Sequence, residues 1–374
     1  MRILFTTDQI YLHGGIEKVM AEKANYFADV LNYEVYILTT EQKGYEPCYF
    51  LSNKIKRVDI GVNYIRFISY FHPKNISKIP FHFKQWKKTI SAIKPDVIIS
   101  CNYAFDFYWT PFFLRQIPKL KEFHSSRYFE EIDRKNASFL KKMIFLINDF
   151  IESKYTKLIL LNDDEAQYYR SNNLEIIPNP ITINDDSVAI LNNHKAIAAG
   201  RIAPVKGFEK AILAWKIVVE QNSDWELHIY GQGEKKYIES LQNLINENNL
   251  QKNVIIKNAV SNLDLILLDY SIYVMTSLTE CFPMILLESL ASGLPIVSFD
   301  CPHGPKNIIT NNEDGFIVKN QDIIALSEKI NLLINDHELR IAIGKKGKQN
   351  SYRFSKENVI LKWQNLFNSL ILKN

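Results

Sequence analysis

Short apolar runs alternate with amphipathic stretches twice along this chain, on either side of Ile176-Ile177-Pro178-Asn179-Pro180. Short apolar runs suit strands buried on both faces, and amphipathic stretches suit the helices that cover them. In the first half the runs predict strands over 3–7, 34–40, 96–100, 120–123 and 157–161. A turn at His13-Gly14-Gly15 and a helix over 16–31 join the first two strands, and such a βαβ unit takes a right-handed crossover. Residues 41–95, rich in Phe, Tyr, Lys and His, read as loops and helices over one end of the sheet. Two X-Pro steps then stiffen the chain, and the polar, Asn/Asp-rich stretch 182–194 reads as a linker. Alternation restarts with strands over 195–199, 226–230, 253–257, 272–276 and 294–299, and helices over 208–221 and 234–248. The pattern predicts an α/β chain of two Rossmann-like, doubly wound domains, 1–183 and 184–355, with a last helical segment, 356–374, packing back across them.

A length of 374 residues suits two domains of ~185 residues each. No apolar run reaches the ~18–20 residues that span a bilayer. Met1 to Asp8 reads as a strand and not as a secretory signal. Cys48, Cys101, Cys281 and Cys301 lack metal-binding spacing and suit a reduced cytoplasm. The net charge of +4 hides an uneven distribution, for 54–142 carry 18 Lys and Arg against 7 Asp and Glu. Aromatics interleave these charges, as in Phe81-His82-Phe83-Lys84-Gln85-Trp86-Lys87-Lys88. That mixture suits an anionic membrane surface, with a solvated basic face as the alternative. No helix-turn-helix, zinc-finger or RNP pattern points to nucleic acid.

The stretch 276–309 sets two carboxylates, Glu280 and Glu288, eight residues apart around Phe282-Pro283. Pro283 suits the first position of a helix and Gly293 its left-handed end. Glu280 then lies in the loop that opens the helix, and Glu288 within it. Free amides at a helix start attract anions, while carboxylates accept hydrogen bonds from sugar hydroxyls. A nucleotide-sugar offers both groups. Gly200-Arg201-Ile202-Ala203-Pro204-Val205-Lys206-Gly207 follows a strand and opens a helix, which places Arg201 and Lys206 where both can meet a diphosphate. Tyr230-Gly231-Gln232-Gly233 follows the next strand, and its glycines allow a close backbone approach to a ligand.

These motifs resemble the E-x7-E and G-R-x4-K-G signatures of retaining glycosyltransferases of the GT-B fold, family 4, the bacterial polysaccharide and lipopolysaccharide type. The resemblance implies two domains facing each other across a cleft. It assigns Arg201 and Lys206 to the donor phosphates, Glu280 to the donor sugar near the reacting centre, and Glu288 to the ribose. The backbone of Phe282, Met284 and Ile285 becomes a candidate for phosphate or sugar contacts. Gly231 and Gly233 match a donor-side glycine turn, and Lys257-Asn258 closes a segment whose backbone contacts the base. Gly14-Gly15, with Glu17, matches a loop beside the diphosphate. His124 matches a histidine facing the donor sugar and acceptor, with a structural histidine as the alternative. His303 and Lys306 are further candidates for the cleft. Two departures stand out: Cys281 and Asn258 occupy positions where glycine is usual. A left-handed backbone would be strained at Cys281 and tolerated at Asn258.

No D-x-D pattern appears at the donor end, and Asn162-Asp163-Asp164-Glu165 reads as a helix cap. The expected activity is metal-independent, retaining transfer of a hexose or N-acetylhexosamine from a UDP-sugar, with no cofactor. The expected acceptor is a saccharide, free or lipid-linked, in capsule, O-antigen or lipooligosaccharide synthesis. The expected location is cytoplasmic, peripheral on the membrane's inner face. A nucleotide-sugar 2-epimerase and a non-catalytic sugar-nucleotide binding protein are the alternatives.

Overall fold

A computed structural model describes every residue except 103, 261 and 372–374. The chain forms two units: Met1–Pro180 together with the chain from Val359 onward, and Ile181–Asn358. The first unit runs β1 (Arg2–Thr7), α1 (Gly15–Asp29), β2 (Glu34–Thr39), β3 (Lys56–Asp59), α2 (Pro73–Ile76), α3 (Ile79–Ile93), β4 (Val97–Ser100), β5 (Lys119–Glu122), α4 (Tyr128–Asn136), α5 (Phe139–Glu152), β6 (Lys157–Leu160) and β7 (Leu174–Ile176). Among the described residues its sheet has seven strands in the order β3-β2-β1-β4-β5-β6-β7, and every pairing is parallel. The second unit runs β8 (Lys195–Ala199), α6 (Phe208–Val219), β9 (Glu226–Tyr230), α7 (Lys235–Glu247), β10 (Val254–Lys257), α8 (Leu263–Leu267), β11 (Ile272–Met275), α9 (Met284–Ala291), β12 (Ile296–Phe299), β13 (Gly315–Val318), α10 (Ile323–Asn335) and α11 (His337–Ser351). Its described strands pair in parallel in the order β10-β9-β8-β11-β12-β13.

Both sheets reverse their strand order beside their first strand, between β1 and β4 and between β8 and β11. Neighbouring crossovers leave such a point on opposite faces, so a crevice opens at the strands' carboxyl ends, where ligands of open α/β sheets bind. The central strands are dry on both faces: Val97, Ile98 and Ile99 are fully buried, as are Ile296, Val297 and Phe299.

Three strands, β3, β7 and β13, lie outside those the alternation predicts. β3 lies within 41–95, read as loops and helices, and pairs Lys56–Asp59 with Tyr36–Thr39. It is a mostly exposed edge strand, so burial imposes no apolar run on it. β7 and β13 are edge strands as well, of three and four residues, and β13 is apolar and mostly buried.

The expected linker is pinned to the second unit. Ala189 N donates to Ser292 O at 2.8 Å and Ile190 N to Leu268 O at 3.0 Å. Lys348 Nζ donates to the carbonyls of Asn184, Asp185 and Ser187, each at 2.9 Å. Ala189 and Leu191 are buried within an otherwise polar stretch.

The last helix, α12 (Lys356–Ile371), buries Val359, Ile360, Trp363 and Phe367 in the first unit's core. The Trp363 and Phe367 rings lie 6.5 and 5.6 Å from that of Phe27 on α1. In α3, His82 and Trp86 also face inward, so two of the aromatics in 81–88 are core residues. Lys119, Lys121 and Arg127 are buried too, so the basic surplus of 54–142 overstates the charge at the surface. Among the described residues no helix is long and apolar enough to cross a membrane.

Candidate active site

The loops that follow β8 and β11 stand side by side at the second unit's strand-order reversal, and they carry both strong motifs. Several bonds clasp them together. Leu278 N donates to Val205 O at 2.8 Å, and Thr276 Oγ1 to Lys206 O at 3.2 Å. Gly207 sits at the crossing with φ +60°, and a Cβ there would meet Thr276 O at 2.3 Å. Only glycine meets both demands.

This clasp brings Lys206 Nζ to 2.5 Å from Glu280 Oε1, and Ser277 Oγ donates to the same oxygen at 2.7 Å. Both charged side chains are largely buried yet keep some solvent contact, at 22% and 13% exposure. The Glu280 backbone is fixed as well: its N donates to Pro302 O at 2.9 Å, and its O accepts from His303 N at 2.8 Å. His303 therefore borders Glu280, while Lys306, three residues on, is exposed. A charge-assisted contact of this kind orients the carboxylate and holds a cation beside it. An arriving sugar hydroxyl or phosphate would compete for either partner.

Arg201 has different neighbours. It is exposed and lines a cleft of about 470 Å³ with Ile202, Gly233, Glu234 and Tyr237. Gly231 and Gly233 serve the packing of one loop on another: a Cβ on either would come within 2.0 Å of the Gly200 or Ile202 carbonyl. Close approach is thus required by the chain itself. Lys257 closes β10, its ammonium 5.5 Å from the centre of the Tyr230 ring. Asn258 follows, exposed, and is not among the residues with positive φ.

Pro283 caps α9 one position before its first residue, and Gly293, at φ +68°, follows its end. Met284 and Ile285 are half-buried in the first turn, where backbone amides have no partner within the helix. Cys281 is buried and is also absent from the positive-φ residues. The strain expected there does not arise. Phe282 packs edge-on against Phe354 with ring centres 5.5 Å apart. Glu288 is the fifth residue of α9 and only 8% exposed.

In the first unit Gly14 caps α1, and Glu17 folds back so closely that a Cβ on Gly14 would strike its carboxylate. Gly15 begins the helix with open space around its Cα. Gln9 Nε2 donates to Glu17 Oε1 at 2.6 Å, and burial raises the Glu17 pKa. His124 follows β5, its side chain 8% exposed and its Nε2 3.5 Å from Glu122 Oε2. Burial lowers the His124 pKa, with Glu122 opposing. Glu122 is itself buried, paired with Lys23 of α1, and accepts from Cys101 Sγ at 3.1 Å. Burial pushes its carboxyl up, but Lys23 and His124 win and hold it well below the usual range.

The residue reading missed Ser277, Lys23 and Glu122. Ser277 stands three positions before Glu280 in one loop and was open to discovery. Lys23 and Glu122, 99 residues apart, leave no local signal.

Comparison with known proteins bears on both units. The family described as Glycosyltransferase Family 4 matches residues 13–185, and that described as Glycosyl transferases group 1 matches residues 182–350. An uncharacterised glycosyltransferase of Haemophilus influenzae is 29% identical over 215 residues, 56% of this chain and 60% of that protein. A Staphylococcus aureus poly(ribitol-phosphate) alpha-N-acetylglucosaminyltransferase is 32% identical over 170 residues, 45% of this chain and 34% of that protein. This chain thus aligns with less than two thirds of either relative's length. A crystal structure of a TarM mutant of S. aureus, in complex with fondaparinux, alpha-GlcNAc-glycerol and UDP, has a TM-score of 0.77. The match covers 98% of this chain and 99% of that one at 16% identity, and it shows likeness of fold. With one family matched in each unit and the whole architecture shared, the chain belongs to the group 1 glycosyltransferases of the GT-B fold.

Proposed function

We propose that the chain transfers a hexose or N-acetylhexosamine from a UDP-sugar to a saccharide acceptor on a lipid carrier, with retention at the anomeric carbon. The acceptor would belong to bacterial polysaccharide, teichoic acid or lipopolysaccharide synthesis, at the inner face of the cytoplasmic membrane. The observation that carries this reading is the Lys206–Glu280–Ser277 cluster at the strand-order reversal. Lys206 and Arg201 supply the positive charge that a departing diphosphate needs, which makes a metal ion unnecessary. Glu280 orients the donor sugar. The amides that open α9 take phosphate or sugar oxygens, and Glu288 holds the ribose. In this mechanism the acceptor hydroxyl attacks on the face from which the phosphate leaves, and that phosphate takes the proton. The protein contributes position and charge more than a dedicated base. UDP in the TarM complex and the activity named for the S. aureus relative support the choice of donor and acceptor class.

Incubation with a panel of UDP- and GDP-sugars, with and without EDTA, tests the reading. Slow release of UDP from one sugar, unchanged by EDTA, is expected. Absence of release with every donor, together with no UDP binding by calorimetry, would sink it. Loss of release in EDTA with recovery on Mn²⁺ would overturn the metal-free mechanism alone.

A further inference from the structure

Amphipathic helices on a globular surface turn their apolar stripe to the core. α5 does the reverse. At 100° per residue, Phe139, Leu140, Met143, Leu146, Ile147 and Phe150 fall within an arc of about 120°. All six are exposed, Phe139 and Leu140 by 79% and 74%. The opposite side is the one held down. There Arg134 of α4 lies over the Phe145 ring at 4.5 Å and binds Asp149 Oδ1 at 2.7 Å and Glu130 Oε1 at 2.8 Å. Only Ile151 and Glu152, at the helix end, are buried. An exposed apolar face of this breadth marks an interaction surface.

The charges around it select the partner. The acids of the α4–α5 hairpin are each engaged: Glu130 and Asp149 by Arg134, Asp133 by Lys141, Glu131 by Arg170, Glu152 by Arg127. Lys135, Lys142 and Lys154 are surplus cations of the same hairpin, and Lys154 reaches over the Phe150 ring at 4.8 Å. On α5 itself, Lys142 borders the apolar arc about 40° beyond Leu146, while Lys141 stands on the far face, where it pairs with Asp133. A second copy presenting the same face would bring the same surplus cations and, with each acid of the hairpin already paired, no free carboxylate to meet them. A layer of anionic headgroups over acyl chains matches both the fringe and the arc.

We propose that the α4–α5 hairpin docks the chain on an anionic lipid surface, with the apolar arc of α5 laid into the headgroup boundary. The purpose of such docking rests on the lipid-linked acceptor proposed above; the docking itself does not. It also moves the expected contact away from 81–88, whose His82 and Trp86 are committed to the core.

Liposome flotation of the full chain tests the assignment, with phosphatidylcholine vesicles and vesicles containing phosphatidylglycerol. At low salt the protein should rise with the anionic vesicles only, and less as salt screens the attraction. The triple variant Phe139→Gln, Leu146→Gln, Ile147→Gln should lose binding by roughly tenfold or more, because the lost apolar burial drives insertion. The variant Lys135→Gln, Lys142→Gln, Lys154→Gln should bind weakly and show little salt dependence. Far-UV circular dichroism checks that both variants fold. Failure of the unmodified protein to float with either vesicle overturns the proposal. So does flotation of the triple variant at the unmodified level, or a dimer in gel filtration that the triple variant dissolves. Release of UDP from a donor, measured on the same samples, keeps the readings apart: flotation without release sinks the transferase reading and leaves the docking surface standing.

Discussion

Lys206 and Glu280 are 74 residues apart and share one contact at 2.5 Å, so each substitution exposes the other's role. Lys206→Ala should weaken UDP binding about tenfold or more, the effect of losing one charge-assisted contact to a phosphate. Arg201→Ala should do the same. Glu280→Gln should keep UDP affinity and lose turnover by ~10²–10³-fold, because its sugar contact matters most at the transition state. Calorimetry and initial rates separate these outcomes; unchanged UDP affinity in the Arg201→Ala, Lys206→Ala double variant would refute the phosphate assignment. Asp106 offers a pH test independent of function. Burial raises its pKa from 3.8 to about 6, with Lys121 and Thr6 opposing. The folded chain thus keeps a proton that the unfolded chain releases between those values. The stabilisation is full below pH 3.8 and is lost as pH rises through about 6, on the order of 2–3 kcal/mol. Asp106→Asn should therefore gain stability relative to the unmodified chain at pH 7.5 but not at pH 4, as read from urea midpoints. An equal difference at both pH values would refute it.

At the scale of elements, α1 is tied to β5 through the fully buried Lys23–Glu122 pair. Removing one member strands the other charge in an apolar interior, which costs about 3–5 kcal/mol. Lys23→Met should show that loss in urea unfolding, and adding Glu122→Leu should recover much of it. If the double variant were no better than the single, the stranded charge would not be the cause. The pair also shows where reading the sequence stops. The motif loops around Gly207 and Glu280 were legible because each demand is local: a turn, a cap, a fixed spacing. Contacts between distant residues were not, so the Lys206–Glu280 and Lys23–Glu122 pairs had to await the fold. The central buried strands were legible because both faces are dry. β3 is mostly exposed and so carries no apolar run. Cys281 misled because the residue type signalled strain that the actual backbone avoids. α5 was opaque for another reason: periodicity shows that one face is apolar but not what covers it.

At the scale of the molecule, the first unit's core is completed from the other end of the sequence. Val359, Ile360, Trp363 and Phe367 arrive after the whole second unit has been made, yet they pack beside Phe5 and Phe27. Sequence order and structural membership therefore differ, and the last helix is a structural part of the first unit rather than an appendage. Trp363→Ala should cost about 3–5 kcal/mol, the usual result of emptying so large a buried site. A single melting temperature would hide where that loss falls, because a chain of two units need not unfold in one step. Hydrogen exchange followed by peptide mass resolves it. Amides of β1, α1 and β2 should exchange faster in the variant, since the cavity opens against α1 through Phe27. UDP should protect the loops after β8 and β11 in both proteins, because a ligand stabilises what it binds by mass action. Unchanged exchange in β1 and α1 would show that Trp363 contributes little to the first core. Loss of UDP protection in the variant would show that the donor site depends on that core as well.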